Sequence, residues 1–220
     1  MFRRNHRFLR VAIAWGTLAC AVGVAEAGPP LLCHPFDAGK AQLLPWTGGE
    51  GWNNLDRSYD VQHLTADTLR LLSPEAPVLA RMENLRRATI YAAQDRRVAA
   101  ELMSAVLTRA LTTAAKDSRD PLAWFDAGYL VESYRQASHV YKWDMLSNSE
   151  RTAWTLRSEP VGADGYAFVR KALQLGGSNP EMEFAASLMR EGPVSAEHRQ
   201  RAAAGAAAGS LLAKNLTAKP

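Results

Sequence analysis

Cysteine is almost absent from this 220-residue chain, which has only Cys20 and Cys33. Cys20 falls in a segment with the marks of a leader. Cys33 therefore stands alone after processing, which excludes an intramolecular disulfide even in an oxidising compartment. Beyond the leader no Lys/Arg run exceeds two residues, so the concentrated basic surface needed for nucleic-acid binding is missing. There is no apolar run of the roughly 20 residues that a spanning helix requires. Paired-ligand motifs are lacking too: the chain has no C-x-x-C, H-E-x-x-H or C-x-x-C-H, and no histidine with Glu three residues before it. Neither a phosphate loop nor a dinucleotide fingerprint occurs, so no cofactor is expected.

The N-terminus is informative. Arg3, Arg4, Arg7 and Arg10 make a basic n-region, the 14 residues from Val11 to Val24 carry no charge, and Ala25-Glu26-Ala27 supplies a small-x-small cleavage pattern. Residues 1–27 are expected to be a secretory signal, cut before Gly28, with the mature chain periplasmic or secreted. The apolar stretch is too short for a retained span, and Gly16 and Gly23 weaken it further. Thr17-Leu18-Ala19-Cys20 loosely resembles a lipobox, but Thr17 stands where Leu is usual; the Arg3-Arg4 pair lacks the context of a twin-arginine signal. Removing the leader leaves 22 basic against 21 acidic residues, so the basic pI belongs mostly to the signal.

Residues 28–64 are rich in Pro, Gly, Asn and Asp with scattered aromatics, the composition of turns. From residue 65 to 220, Ala, Leu, Arg, Glu and Met dominate and strand-type alternation is absent, which predicts an all-α domain. Ser73-Pro74-Glu75 reads as a helix start, with Val78, Met82, Leu85 and Thr89 on one face. A helix from about Asp95 to Ala115 carries two apolar stripes. Asp120-Pro121 caps another that extends toward Tyr141, and Ser147 to Glu150 reads as a capping box opening a short helix with Trp154. Tyr166 to Leu175 is helical and ends at Gly176-Gly177. Asn179-Pro180 starts a helix running to Glu191, and Ser195 is expected to cap a last, alanine-rich helix to Leu216.

Asp120-Pro121 and Asn179-Pro180 begin similar stretches 59 residues apart, matching in the cap, the proline, a phenylalanine and two small positions. Trp124, Ala127, Gly128 and Val131 follow the spacing W-x-x-L-G-x-x-Y, and Lys171-Ala172-Leu173-Gln174-Leu175 precedes Asn179-Pro180 as a second-helix ending would. Over residues 75–216 the chain thus resembles the tetratricopeptide repeat family. Ala127 and Val131 replace Leu and Tyr of that pattern, Glu183 takes the tryptophan position of the second copy, and an insertion around 141–164 breaks the 34-residue period. The resemblance implies antiparallel helical hairpins in a right-handed stack, with a concave face that binds a protein or peptide without catalysis.

The expected partner-binding residues are Met82, Trp124, Gly128 and Phe184 in that groove, with Trp46 and Trp52 as an aromatic platform or as anchors of the N-terminal segment. Arg86-Arg87 and Arg96-Arg97 offer a polar face to an acidic partner or to solvent. The competing chemistry lies in Cys33-His34-Pro35-Phe36-Asp37: His34, Asp37, Asp60 and His63 could converge on a metal ion, or Cys33 could act as nucleophile with His34 or His63 as base. The expected function is that of a non-catalytic adaptor for a protein or peptide in the cell envelope. A metal-dependent or thiol hydrolase is the alternative.

Overall fold

The computed structural model describes residues 30–49, 51–115, 120–145 and 164–218. Among these the only regular elements are helices, so the chain is all-α. In chain order they are α1 (Leu64–Leu71), α2 (Val78–Ala92), α3 (Arg96–Ala115), α4 (Pro121–Tyr141), α5 (Gly165–Gly176), α6 (Pro180–Ser187), α7 (Gly192–Gly205) and α8 (Leu211–Thr217). A short 3-10 turn, Val61–His63, leads into α1. The capping box at 147–150 and Trp154 lie outside the described residues.

Two helix starts follow the same local chemistry. Asp120 accepts hydrogen bonds from the Leu122 and Ala123 N–H groups, Asn179 from those of Glu181 and Met182, and proline follows each cap. The side-chain oxygen satisfies amides that the first turn leaves without intrahelical partners. Three expected boundaries are corrected. Ser73-Pro74-Glu75 does not open a helix: Ala76 precedes Pro77, which disfavours the helical region there, and α2 starts only after Pro77. The turn at 73–76 is held instead by Arg81, whose guanidinium donates to the Ser73 and Ala76 carbonyls.

The last helix is likewise two helices. α7 begins at Gly192, and Ser195 bonds the Ser187 carbonyl at 2.7 Å rather than capping. After Gly205 the chain turns through Gly209 at φ +75°, and Ser210 caps α8. α6 also ends at Ser187, short of Glu191.

Helices α2 and α4 form the centre. α4 packs most extensively on α5 and also meets α2 and α3, while α6 and α7 form a second close pair. Glycine allows the α4–α5 approach: a Cβ on Gly128 would stand 2.5 Å from the Gly165 carbonyl oxygen, and one on Gly165 would collide with the Gly128 carbonyl. Glu132, one turn beyond Gly128, then accepts the Tyr166 N–H at 3.1 Å.

The expected face of α2 is buried at Val78, Met82, Leu85 and Thr89, but so is the rest of the helix: from Val78 to Ala92 only Arg87 is not fully buried. Arg81, Glu83, Asn84 and Arg86 therefore sit inside the protein, where polar groups must be partnered. Arg86 is corrected from a polar-face residue to a core residue, with no side-chain exposure.

The pair Arg81–Asp126 joins α2 to α4 at 2.6 Å with both side chains essentially excluded from solvent. Two effects oppose each other at Asp126. Arg81 and, at 3.9 Å, Arg109 favour the carboxylate, whereas burial disfavours any charge. Burial wins, helped by an Oδ1 that accepts no hydrogen bond, and the Asp126 carboxyl is pushed up to about 6. A folded value above the unfolded 3.8 means that this group adds stability fully below pH 3.8 and loses it as pH rises through about 6. The difference corresponds to about 3 kcal/mol between these limits. Urea unfolding at pH 4, 5, 6 and 7 should show that loss in the native chain relative to Asp126→Asn, in which the site no longer titrates. Parallel pH profiles for the two proteins would refute it.

Candidate functional site

The N-terminal segment from residue 30 to 60, expected to be irregular, is an arm laid along α2 and held largely through its main chain. Glu83 organises the grip. Its carboxylate takes the Phe36 N–H at 3.0 Å, two nitrogens of Arg86 at 2.8 and 2.9 Å, and Arg87 Nε at 2.7 Å. The two arginines, sharing that one carboxylate, reach on to arm carbonyls: Arg86 to Leu32 and Trp52, Arg87 to Leu44. Asn84 reads the arm as another strand would, accepting from the Leu44 N–H at 2.9 Å and donating to the Gln42 carbonyl at 3.1 Å. Tyr91 hydroxyl donates to the Pro45 carbonyl and accepts from the Asp56 N–H.

The arm also buries Leu31, Leu32, Phe36 and Leu44 in the common core. At roughly 1.5–3 kcal/mol per buried apolar side chain, lifting it would cost on the order of 10 kcal/mol, comparable to the stability of a whole domain. The arm is therefore a permanent part of the fold.

This arrangement relocates the expected binding residues. Met82, Trp124, Gly128 and Phe184 are all buried, Phe184 at the wall of a cavity beside the arm. Trp46 stacks edge-on to Tyr91 at 6.0 Å under the Arg86 and Arg87 guanidinium groups, and Trp52 packs edge-on to Tyr141 at 6.4 Å. Both tryptophans pin the arm.

The His/Asp/Cys group is dispersed. Asp37 accepts from the Gly39 N–H in its own turn, Asp60 caps Gln62, and His63 is exposed at the end of the 3-10 turn. Among the described residues no group of three or more histidine, cysteine, aspartate or glutamate side chains is placed to hold a metal ion. Cys33 is half-buried, and burial pushes its thiol up more than Arg86 pulls it down. A thiol held in its protonated form is a poor nucleophile.

Open surface remains in several places, two of which bear on binding. One is a shallow channel of about 780 Å³ along α3, facing α1. Its floor is made of Ala100, Ser104 and Ala105, whose small side chains leave the helix surface low, and Arg96, Arg97 and Glu101 stand along it. Arg97 touches Glu101 at 3.5 Å and Arg96 lies over the Trp143 ring at 5.3 Å; all three charged residues are exposed.

The other is a half-enclosed cavity of about 390 Å³ between the arm and the C-terminal helices. Phe36 and Phe184 meet there edge to face at 6.0 Å, joined by Pro30, Pro35 and Leu188, while His34, Arg199 and Asn215 contribute polar atoms. Of the expected residues, His34 and Phe184 are thus brought together, although in a setting quite unlike a metal centre.

A third cluster had no signal in the sequence. Glu183 and His198 are buried in a very short contact through Nδ1, and the Tyr166 hydroxyl lies 2.8 Å from Nε2 of the same ring. Each nitrogen of the His198 ring thus has its own partner, Glu183 at Nδ1 and the phenol at Nε2. Arg201 also donates to Glu183 at 3.2 Å, and the Arg190 guanidinium covers the Tyr166 ring at 4.3 Å. The line of carboxylate, imidazole and phenol can pass a proton, but neither the channel nor the cavity is lined by any of the three. It ties α5, α6 and α7 together. The partners are 15 and 32 residues apart, so no spacing rule brings them to notice.

No family model, curated protein or solved structure matches the chain. Among the described residues no helix is long and apolar enough to cross a membrane.

Proposed function

We propose that this chain is an exported, helical-repeat-like protein that binds a protein or peptide partner in the cell envelope and performs no chemistry on it. The observation that carries the reading is the α3 channel: a low floor of small side chains with two exposed arginines beside it, one of them only loosely paired. That geometry suits an extended acidic segment, whose carboxylates meet Arg96 and Arg97 while its backbone lies over Ala100, Ser104 and Ala105. The protonated Cys33 thiol and the scattered His and Asp side chains supply no comparable support for the hydrolase alternative.

The test uses the exported chain and a fluorescently labelled decapeptide rich in glutamate, with its lysine counterpart as control. The acidic peptide should bind, weaken as salt is raised, and lose about tenfold or more in affinity in Arg96→Glu/Arg97→Glu, because rim charges act through long-range attraction. Ala100→Trp, which fills the floor, should block it. Equal binding of the two peptides, or binding indifferent to both variants, would sink the proposal.

A further inference from the structure

Beyond the channel, the cavity between the arm and the C-terminal helices has the build of a small-ligand site. We infer that it takes a single carboxylate carried on a compact aromatic or branched apolar body. Its volume of about 390 Å³ lies toward the lower end of the range for small-molecule pockets. Phe36 and Phe184 meet edge to face at its wall and, with Leu188, Pro30 and Pro35, make the apolar side of the cavity a slot for one apolar group.

The slot is preformed. The Phe36 N–H is fixed by Glu83, and the next residue, Asp37, is held at both main-chain groups by Asn215: its N–H donates to Oδ1 and its carbonyl accepts from Nδ2, each at 2.9 Å. That clasp joins the arm to α8 across 178 residues of chain and keeps the two walls in place without a ligand.

The charge at the cavity selects the ligand's sign. No acidic side chain lines it, whereas Arg199 does, and among the described residues Arg199 pairs with no carboxylate. One of its nitrogens donates to the Leu216 carbonyl at 2.6 Å, which steadies the guanidinium at the end of α8 and leaves its remaining donors for an anion. The His34 imidazole lies at the same cavity. An amine would find no counter-charge here, and a sugar ring would set its hydroxyls against Pro30, Pro35, Phe36, Phe184 and Leu188. A body that fills the phenylalanine slot with one carboxylate directed to Arg199 meets both requirements.

The probe is 3-phenylpropanoate, titrated calorimetrically into the exported chain beside 3-phenylpropanamide and 3-phenylpropylamine. The acid should bind with one-to-one stoichiometry and about tenfold or more tighter than either neutral or cationic analogue, as expected for a charge-assisted contact. Arg199→Gln should bring the acid down to the level of the amide without changing the amide. Ala218→Trp, at an exposed lining position, should block both.

Equal affinity of acid and amide, or binding that survives Ala218→Trp, would overturn the assignment. So would an acetylated pentapeptide ending in phenylalanine that binds more tightly than the free acid, since the site would then serve a chain terminus. Retention of the glutamate-rich peptide by Arg199→Gln keeps this test separate from that of the α3 channel.

Discussion

Glu83→Ala should destabilise the protein by about 3–5 kcal/mol, the usual cost of removing one partner from a buried ion pair. The reason is arithmetic at a single carboxylate. Glu83 has almost no exposure and faces Arg86, which has none, and Arg87, which has little. Without it Arg86 keeps its charge in the core with the Leu32 and Trp52 carbonyls and the face of Trp46 as partners but no carboxylate, and the Phe36 N–H loses its acceptor. A buried donor left unmade adds its own penalty of about 1–3 kcal/mol, part of which relaxation recovers.

Denaturant unfolding measures the total, and amide hydrogen exchange locates it: protection should fall first at Phe36 and Leu44, before the α4 amides respond. Glu83→Gln, which retains one acceptor without the charge, should fall between the two. If Glu83→Ala unfolds at the native denaturant concentration, the arm is held by its leucines alone and the polar grip on α2 is incidental.

Gly165→Ala should cost about 1–3 kcal/mol or more, the range for overpacking a well-filled interior. A methyl group there would collide with the Gly128 carbonyl and press on Glu132, and neither can retreat cheaply, because one is helix backbone and the other holds the Tyr166 N–H. Gly128→Ala meets the reciprocal obstacle, the Gly165 carbonyl and Val169. Since the two substitutions strain one contact, the double variant should be less destabilised than the sum of the singles, a coupling that a double-mutant cycle on thermal unfolding reads directly. By contrast Gly177→Ala, where no atom stands near the added Cβ, should suffer only from its positive φ of 74°. Additive single effects would mean that the helices part at this crossing on the first substitution.

Much of the helical framework was readable residue by residue. Asp120-Pro121 and Asn179-Pro180 start helices because the cap and the proline act within one turn, on groups that are near in sequence. Failures occurred where a neighbouring signal overrode the local pattern or a remote partner intervened. Ser73-Pro74-Glu75 had local credentials for a helix start, but Pro77 and the reach of Arg81 hold those residues as a turn. The alanine run after Ser195 promised one helix, although Gly205, Gly209 and Ser210 already carried the signal for a stop and a new cap. On the stripe of α2 the apolar positions were legible; that its polar positions are buried as well was not, because nothing in a helical period announces an arm from 50 residues upstream.

The candidate sites divide in the same way. Arg96 and Arg97 stood out as adjacent charges, and their exposure beside a row of small residues follows from one helix. Phe184 and His34 were named for different reasons and meet in a cavity that neither reason described. The Glu183–His198–Tyr166 line was invisible.

The amino-acid sequence by itself determined the helical class and the capped starts at Asp120 and Asn179, since these depend on composition or on contacts within a turn or two. Only the tertiary structure decided which polar residues are interior, that Met82, Trp124, Gly128 and Phe184 are buried, and where open surface remains. Those outcomes rest on main-chain groups and side chains brought together across 40 to 180 residues, and such pairings are selected by the joint packing and desolvation of whole elements, to which no local pattern is bound.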